Sequence, residues 1–361
     1  IDALRERDPS VQIAFTRFSP SADRFASRMS VDVTAYLPWD LPGPIGHVLD
    51  TMSPDLIVFT KTEVWPVVVD ESLRRGMEVA LVAGTVVEGS SRLRPLARAL
   101  LAPSWRALSR VCAVADEDAT RLRSLGVQGD ALSVTGDPGI DSAAERAQAA
   151  DPGAPLLAPF NAEARPTVVA GSTWSSDEDV LIPALAIARQ RVPDIRLILA
   201  PHEPDPDHVA VLSRRLAADG WSAATLSSVE ELGSAHGVDA VVVDRVGALA
   251  DLYTIGQIAY VGGGFHAAGL HSVLEPAAAR LPVLFGPRHH SSRAAADLMA
   301  VDAARSVVGR DALAEALVAW LTDDDARRQA AESAFGYIHK HLGAASRTAA
   351  VLFELLRSPN A

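Results

Sequence analysis

Residues 257–286 read QIAYVGGGFHAAGLHSVLEPAAARLPVLFG. QIAYVG (257–262) is a continuous apolar run, the pattern of a strand buried on both faces. It ends in Gly262, Gly263 and Gly264, and three residues without a Cβ let the backbone approach a ligand closely. Gly269 follows in the loop. A helix is then expected to open near His271 and carry Glu275, before LPVLFG (281–286) supplies the next strand. A helix N-terminus after such a turn attracts phosphate through its free N–H groups and its dipole. His271 and Glu275 are four residues apart, so the expectation puts both on one helix face, where a carboxylate can accept two ribose hydroxyls. The plainer alternative is a tight strand-to-helix turn with a solvated Glu275.

The same rhythm extends outward in both directions. VQIAF (11–15), DLIVFT (55–60), MEVALVAG (77–84), RVCAVA (110–115) and ALSVTG (131–136) read as strands, with helical spacing at 64–75 and 116–125. The rhythm breaks at 142–165, which is rich in Ala and Pro. It restarts with PTVVAG (166–171), DIRLILA (194–200) and DAVVVD (239–244), with helical patterns at 176–192, 206–219, 291–300 and 310–321. Alternation of this kind predicts an α/β protein with two doubly wound, Rossmann-like domains whose parallel sheets face an inter-domain cleft. The expected layout is a first domain at 1–145, a linker at 146–165, a second domain at 166–335, and a C-terminal helix at 336–361 packing back on the first domain.

Composition narrows the function. A net charge of −12 argues against a nucleic-acid coat. The single cysteine, Cys112, excludes an internal disulfide and lies in an apolar run, as a buried inert thiol would. No stretch approaches the roughly 18 apolar residues of a membrane span. The chain opens with Ile1 inside a helical pattern, so the natural protein is expected to begin earlier.

In such folds ligands lie beyond the carboxyl ends of the strands. Ser172 and Thr173 stand there after PTVVAG, as helix caps or phosphate ligands. His202 and Glu203 follow DIRLILA between two prolines, as donors to a phosphate or sugar carboxylate or as a surface pair. Lys61 and Glu63 follow DLIVFT, where a cation and a carboxylate could meet an acidic sugar, or where a capped helix simply begins. Arg92, Arg94, Arg98, Arg106 and Arg110 interleave with leucines over 91–110 without an acid. That stretch suits an anionic membrane surface, or is a helix with a basic polar face. No G-x-G-x-x-G follows an early strand, and the adjacent His289 and His290 lack metal-site spacing.

Taken in order, YLPWDLP (36–42), TKTEVWP (60–66), VTGDPGID (134–141), AGSTW (170–174), APHEP (200–204), GGGFHAAGLHSVLEPAA (262–278) and FGPRHHSSRAAADL (285–298) resemble the 3-deoxy-D-manno-octulosonic acid (Kdo) transferases of lipopolysaccharide synthesis. The resemblance spans nearly the whole chain. It implies a GT-B fold and an inverting, metal-independent transfer from CMP-Kdo, with no cofactor. The acceptor would be a lipid A precursor (lipid IVA) at the cytoplasmic face of the inner membrane, reached peripherally or through an N-terminal anchor. It assigns Ser172, Thr173, His202, Glu203, Gly263, Gly264, His271, Ser272 and Glu275 to the donor. Lys61 and Glu63 fall near the sugar, and Arg92, Arg94 and Arg98 near acceptor phosphates or the membrane. The family's general base, a Glu in a Gly-Glu turn, is expected upstream of residue 1. Three segments depart from the family pattern: Lys61 replaces an acid, Pro201-His202-Glu203-Pro204 stands where Pro-Arg-His-Pro is common, and Ser272 replaces an Asn. Another GT-B enzyme, such as a UDP-sugar transferase or epimerase, and a non-catalytic donor-binding protein remain the alternatives.

Overall fold

The computed structural model describes residues 1–19 and 29–357. The chain divides into two units, one formed by Ile1–Asp141 with Gly343–Ala361, the other by Ser142–Leu342. The segment expected as a linker is structured. Pro138–Ala149 is a helix, and a short 3-10 turn, Ala158–Phe160, follows it. Leu157 and Phe160 are buried in the second unit's core, and the Ala235 amide donates to the Pro159 carbonyl. Burial of these apolar side chains, each worth about 1.5–3 kcal/mol, ties residues 146–165 to that unit. The helix at the chain's end also differs from its expected span. Residues 336–341 complete the helix Asp324–His341 in the second unit, while Ala344–Arg357 belongs to the first. There the Thr348 hydroxyl donates to Thr135, and Asp141 accepts from the amide of Ala345.

In the first unit, β3 (Leu56–Thr60), β4 (Glu78–Gly84), β5 (Arg110–Ala113) and β6 (Leu132–Val134) form a four-stranded parallel sheet in sequence order. The strand expected at 11–15 is not in it. Instead β1 (Ala14–Arg17) pairs in parallel with β2 (Val33–Tyr36) as a separate two-stranded sheet. β2 carries mostly exposed residues, so no buried apolar run announced it. Helices Pro42–Met52, Pro66–Arg74 and Pro95–Arg106 each begin on a proline, whose missing N–H costs nothing in the first turn. Val69, Val79, Leu81, Val111, Leu122 and Leu125 meet in the core.

The second unit holds one seven-stranded parallel sheet in the order β13-β12-β11-β7-β8-β10-β9. These strands are β7 (Thr167–Thr173), β8 (Arg196–Pro201), β9 (Ala223–Thr225), β10 (Ala240–Val242), β11 (Ile258–Val261), β12 (Val283–Phe285) and β13 (Ala304–Ser306). The two-residue period of a strand splits its apolar runs between two cores. Val168, Leu197, Leu199 and Tyr260 point to one face, and Val169, Ile198, Val241 and Ala259 to the other. β9 and β13 are three-residue edge strands, AAT and ARS, too short and polar to read in advance. From β7 the strand order runs to β8 on one side and to β11 on the other, so the topology reverses between β7 and β11. Among the described residues, no helix is long and apolar enough to cross a membrane.

Candidate functional site

At this reversal the carboxyl ends of β7, β8 and β11 come together. Ser172 and Thr173 are the last residues of β7 and stand just ahead of the helix Ser175–Arg189. Thr173 is buried and donates its hydroxyl to Glu178 at 2.9 Å, while Glu178 also lies 3.1 Å from His208 Nε2. The hydroxyl of Thr173 is therefore engaged inside the fold. Ser172 is half-buried and left-handed, with φ of 53°, at an irregularity in the β7–β8 pairing.

The glycine turn is an internal joint. Asp177, fully buried on helix Ser175–Arg189, accepts from the amides of Gly263 (2.8 Å), Phe265 (3.2 Å) and Trp174 (3.0 Å) and from the Tyr260 hydroxyl (3.0 Å). The Gly263 N–H thus faces a carboxylate. A Cβ on Gly262 would fall 2.2 Å from the Ser172 carbonyl oxygen, and one on Gly264 2.4 Å from the Gly286 amide. The glycines let the backbones after β7, β11 and β12 touch. Tyr260, buried against Asp177, has its phenol pushed above its ordinary range by burial.

Around this joint stands an aromatic cluster. Trp174 follows β7 and stacks on His266 (centroids 4.0 Å apart, planes at 8°) and on His202 (4.6 Å, 29°). Its indole N–H donates to His271 Nε2 at 3.1 Å, and His202 and His271 lie 4.4 Å apart. Burial and the neighbouring His202 push the His271 imidazole below its usual range, so its neutral form is favoured. The backbone amide of His202 donates to the Thr173 carbonyl, which fixes the start of its loop; Glu203 beside it is exposed.

The helix beyond is shorter than expected. It spans Leu274–Ala278, so His271 precedes it and shares no helix face with Glu275. The His271 amide instead bonds back to the Gly262 carbonyl, closing the glycine loop. Ser272 is exposed, and its hydroxyl accepts from the Leu274 amide. Glu275 is half-buried in the first helical turn and pairs with Arg146 at 3.0 Å. Trp174, His266, Asp177 and Arg146 were absent from the sequence-based set. Only Trp174 carried a signal there, as a large aromatic directly after a strand-end Ser-Thr.

In the first unit, Lys61 and Glu63 follow β3 as expected and both are exposed. Lys61 is left-handed, with φ of 58°, and its amide donates to Val82. Glu63 lies 3.6 Å from Arg92, which joins these two predicted residues in one ion pair. Arg94 and Arg98 are exposed on the first turns of Pro95–Arg106, beside Leu96 and Leu100, which are 74% and 72% exposed. Trp105 of the same stretch is a core residue. Among the described residues no group of three or more His, Cys, Asp or Glu is placed to hold a metal ion.

Two solved structures share this architecture. A glycosyltransferase from Rickettsia africae is 12% identical, covers 99% of this chain and 93% of its own, and superposes with a TM-score of 0.62. A UDP-GlcNAc 2-epimerase from Neisseria meningitidis bound to UDP-GlcNAc is also 12% identical, with 99% and 95% covered and a TM-score of 0.63. Fold and parallel-sheet topology therefore define an α/β protein of the GT-B class. A family profile described as 3-deoxy-D-manno-octulosonic-acid transferase (kdotransferase) matches residues 1–142. The 3-deoxy-D-manno-octulosonic acid transferase of Bordetella pertussis is 31% identical over 320 residues, 87% of this chain and 72% of the relative. The chain belongs to the Kdo transferase family and is a glycosyltransferase.

Proposed function

We propose that this protein transfers Kdo from CMP-Kdo to a lipid A precursor, lipid IVA, in lipopolysaccharide synthesis, with inversion at the anomeric carbon and without a metal. Beyond family membership, the observation that carries this reading is the clustering of His202, His266 and His271 around Trp174 where the strand order reverses. Imidazole donors at that edge suit an anionic nucleotide sugar and can steady the departing CMP phosphate in place of a cation. Glu275, half-buried nearby in sequence, would accept the ribose hydroxyls. Ser172 and the exposed Glu203 complete the donor set. The acceptor hydroxyl attacks the anomeric carbon as the bond to the CMP phosphate breaks, and a carboxylate base takes its proton.

Lys61, Glu63 and Arg92 would meet the sugar acid and acceptor. Arg94 and Arg98, beside the exposed Leu96 and Leu100, support contact with the anionic cytoplasmic face of the inner membrane. The test is incubation of the full-length protein with CMP-Kdo and tetraacylated lipid A precursor, followed by mass spectrometry. A Kdo adduct is expected, and CMP should raise the melting temperature more than UDP does. No adduct, with UDP the better stabiliser, would move the chain to the UDP-sugar enzymes that share its fold.

A further inference from the structure

Four side chains from three separate segments converge at the carboxyl ends of β7, β8 and β11. They are Trp174, His202, and the pair His266 and His271 from the glycine-rich loop. Trp174 is the hub, since it stacks on two of the imidazoles and donates its indole N–H to the third. An indole nitrogen can only donate. The accepting nitrogen, His271 Nε2, therefore carries no proton while that 3.1 Å bond stands. A neutral imidazole has one N–H, which must then lie on Nδ1. Protonating Nε2 would set two N–H groups head to head.

The surroundings favour the same state. The titratable groups around His271 are His202, His266 and Asp177. Asp177 alone favours an imidazolium, but its two oxygens already accept four hydrogen bonds, from the Tyr260 hydroxyl and the amides of Trp174, Gly263 and Phe265. Partial burial and the neighbouring His202 oppose a second charge.

We propose that Trp174 is a positioning residue for the transfer reaction: its indole N–H locks His271 as the neutral, Nδ1-protonated imidazole, whose one remaining N–H is offered to the nucleotide phosphate. A neutral, fixed donor needs no change of protonation during turnover, and it holds its direction whatever the charge on His202 and His266. The ligand's identity rests on the function proposed above; the tautomer does not.

The test uses ¹⁵N-labelled full-length protein and two-bond ¹H–¹⁵N correlation of the histidine rings between pH 5.5 and 8.5, with His271→Gln assigning the signal. His271 is expected as the Nδ1–H form, with a midpoint below that of an ordinary histidine. Trp174→Phe keeps a ring for stacking but has no N–H. It should give mixed tautomers, a higher midpoint, and CMP binding weaker by about tenfold, the scale of one hydrogen bond to a charged ligand. His271→Gln removes the imidazole and should itself weaken CMP, and adding Trp174→Phe to it should cost little further affinity, because no tautomer remains to be locked. An unchanged tautomer and midpoint in Trp174→Phe would overturn the proposal. A wild-type protein that shows the Nδ1–H form but does not bind CMP would count against the proposed substrate and leave the Trp174–His271 lock standing.

Discussion

The carboxylate of Asp177 lies 2.8 Å from the amide nitrogen of Gly263, although 86 residues separate them in sequence. One buried side chain on the helix after β7 thereby holds the turn after β11, and the strand-order reversal becomes a fixed junction. Asp177→Asn would turn an amide NH₂ toward N–H donors and leave at least one buried donor unpaired. The expected loss is about 2–4 kcal/mol of stability, on the scale of one or two buried unsatisfied groups. Denaturant unfolding checks this, and an unchanged midpoint would show that the carboxylate does not hold the turn.

Gly264 tests the joint sterically. An added Cβ would meet Gly286 backbone at 2.4 Å, and backbone cannot swing aside as a side chain can. Gly264→Ala should cost about 1–3 kcal/mol, the usual range for forced overpacking, and weaken nucleotide binding. Gly129→Ala meets nothing within 4 Å and should change the melting temperature little.

Glu275 separates ribose recognition from charge. If its carboxylate accepts ribose hydroxyls, Glu275→Gln should weaken CMP by about tenfold, the scale of one to two hydrogen bonds, and leave dideoxy-CMP nearly unchanged. Calorimetric titration of both nucleotides decides the matter. Arg146→Ala, which removes a largely exposed ion pair, should cost below about 1 kcal/mol of stability.

Burial raises the Cys112 thiol from its ordinary 9.0 to about 11, against weaker opposing hydrogen bonds from Thr135 and Thr348. The folded state therefore favours the protonated thiol. This contribution is complete below pH 9 and is lost as pH rises from 9 toward about 11, because the unfolded chain gives up the proton first. Native protein at pH 8 should resist a thiol reagent that labels it fully in denaturant. Rapid native labelling would refute the burial.

Leu96 and Leu100 give the membrane reading its own test. Changing both to Ser should leave stability within about 0.5 kcal/mol, because exposed side chains away from special features contribute little. Binding to vesicles containing anionic lipid should fall, and Arg94→Glu with Arg98→Glu should weaken it further. Vesicle sedimentation that the two leucine changes leave unaltered would separate this helix from the membrane.

Much of the site could be read from local pattern, and the exceptions share a cause. Gly262, Gly263, Gly264, His202 and His271 follow apolar runs, and a period-2 buried strand announces where its carboxyl end lies. Their partners were hidden, since Asp177 looks like any acid in a helix's first turn. Arg146 sits in an alanine-rich stretch that resembles a linker. Thr173 and Glu178 are five residues apart, yet only the packing of the next helix against the strand makes them a buried pair. The helix expected at His271 failed because the loop bonds back to Gly262 and delays the first helical turn to Leu274.

By itself the sequence determined the alternation of strands and helices, the buried character of the sheets and the positions of the strand ends, because these depend on side-chain periodicity over neighbouring residues. Tertiary structure alone decided the strand order, and hence that β7 and β11 are neighbours. It also decided that the glycine amide faces Asp177 and that the Trp174 indole N–H donates to His271. Such contacts join segments tens of residues apart, and their energies come from burial and hydrogen-bond geometry that no local window of sequence contains.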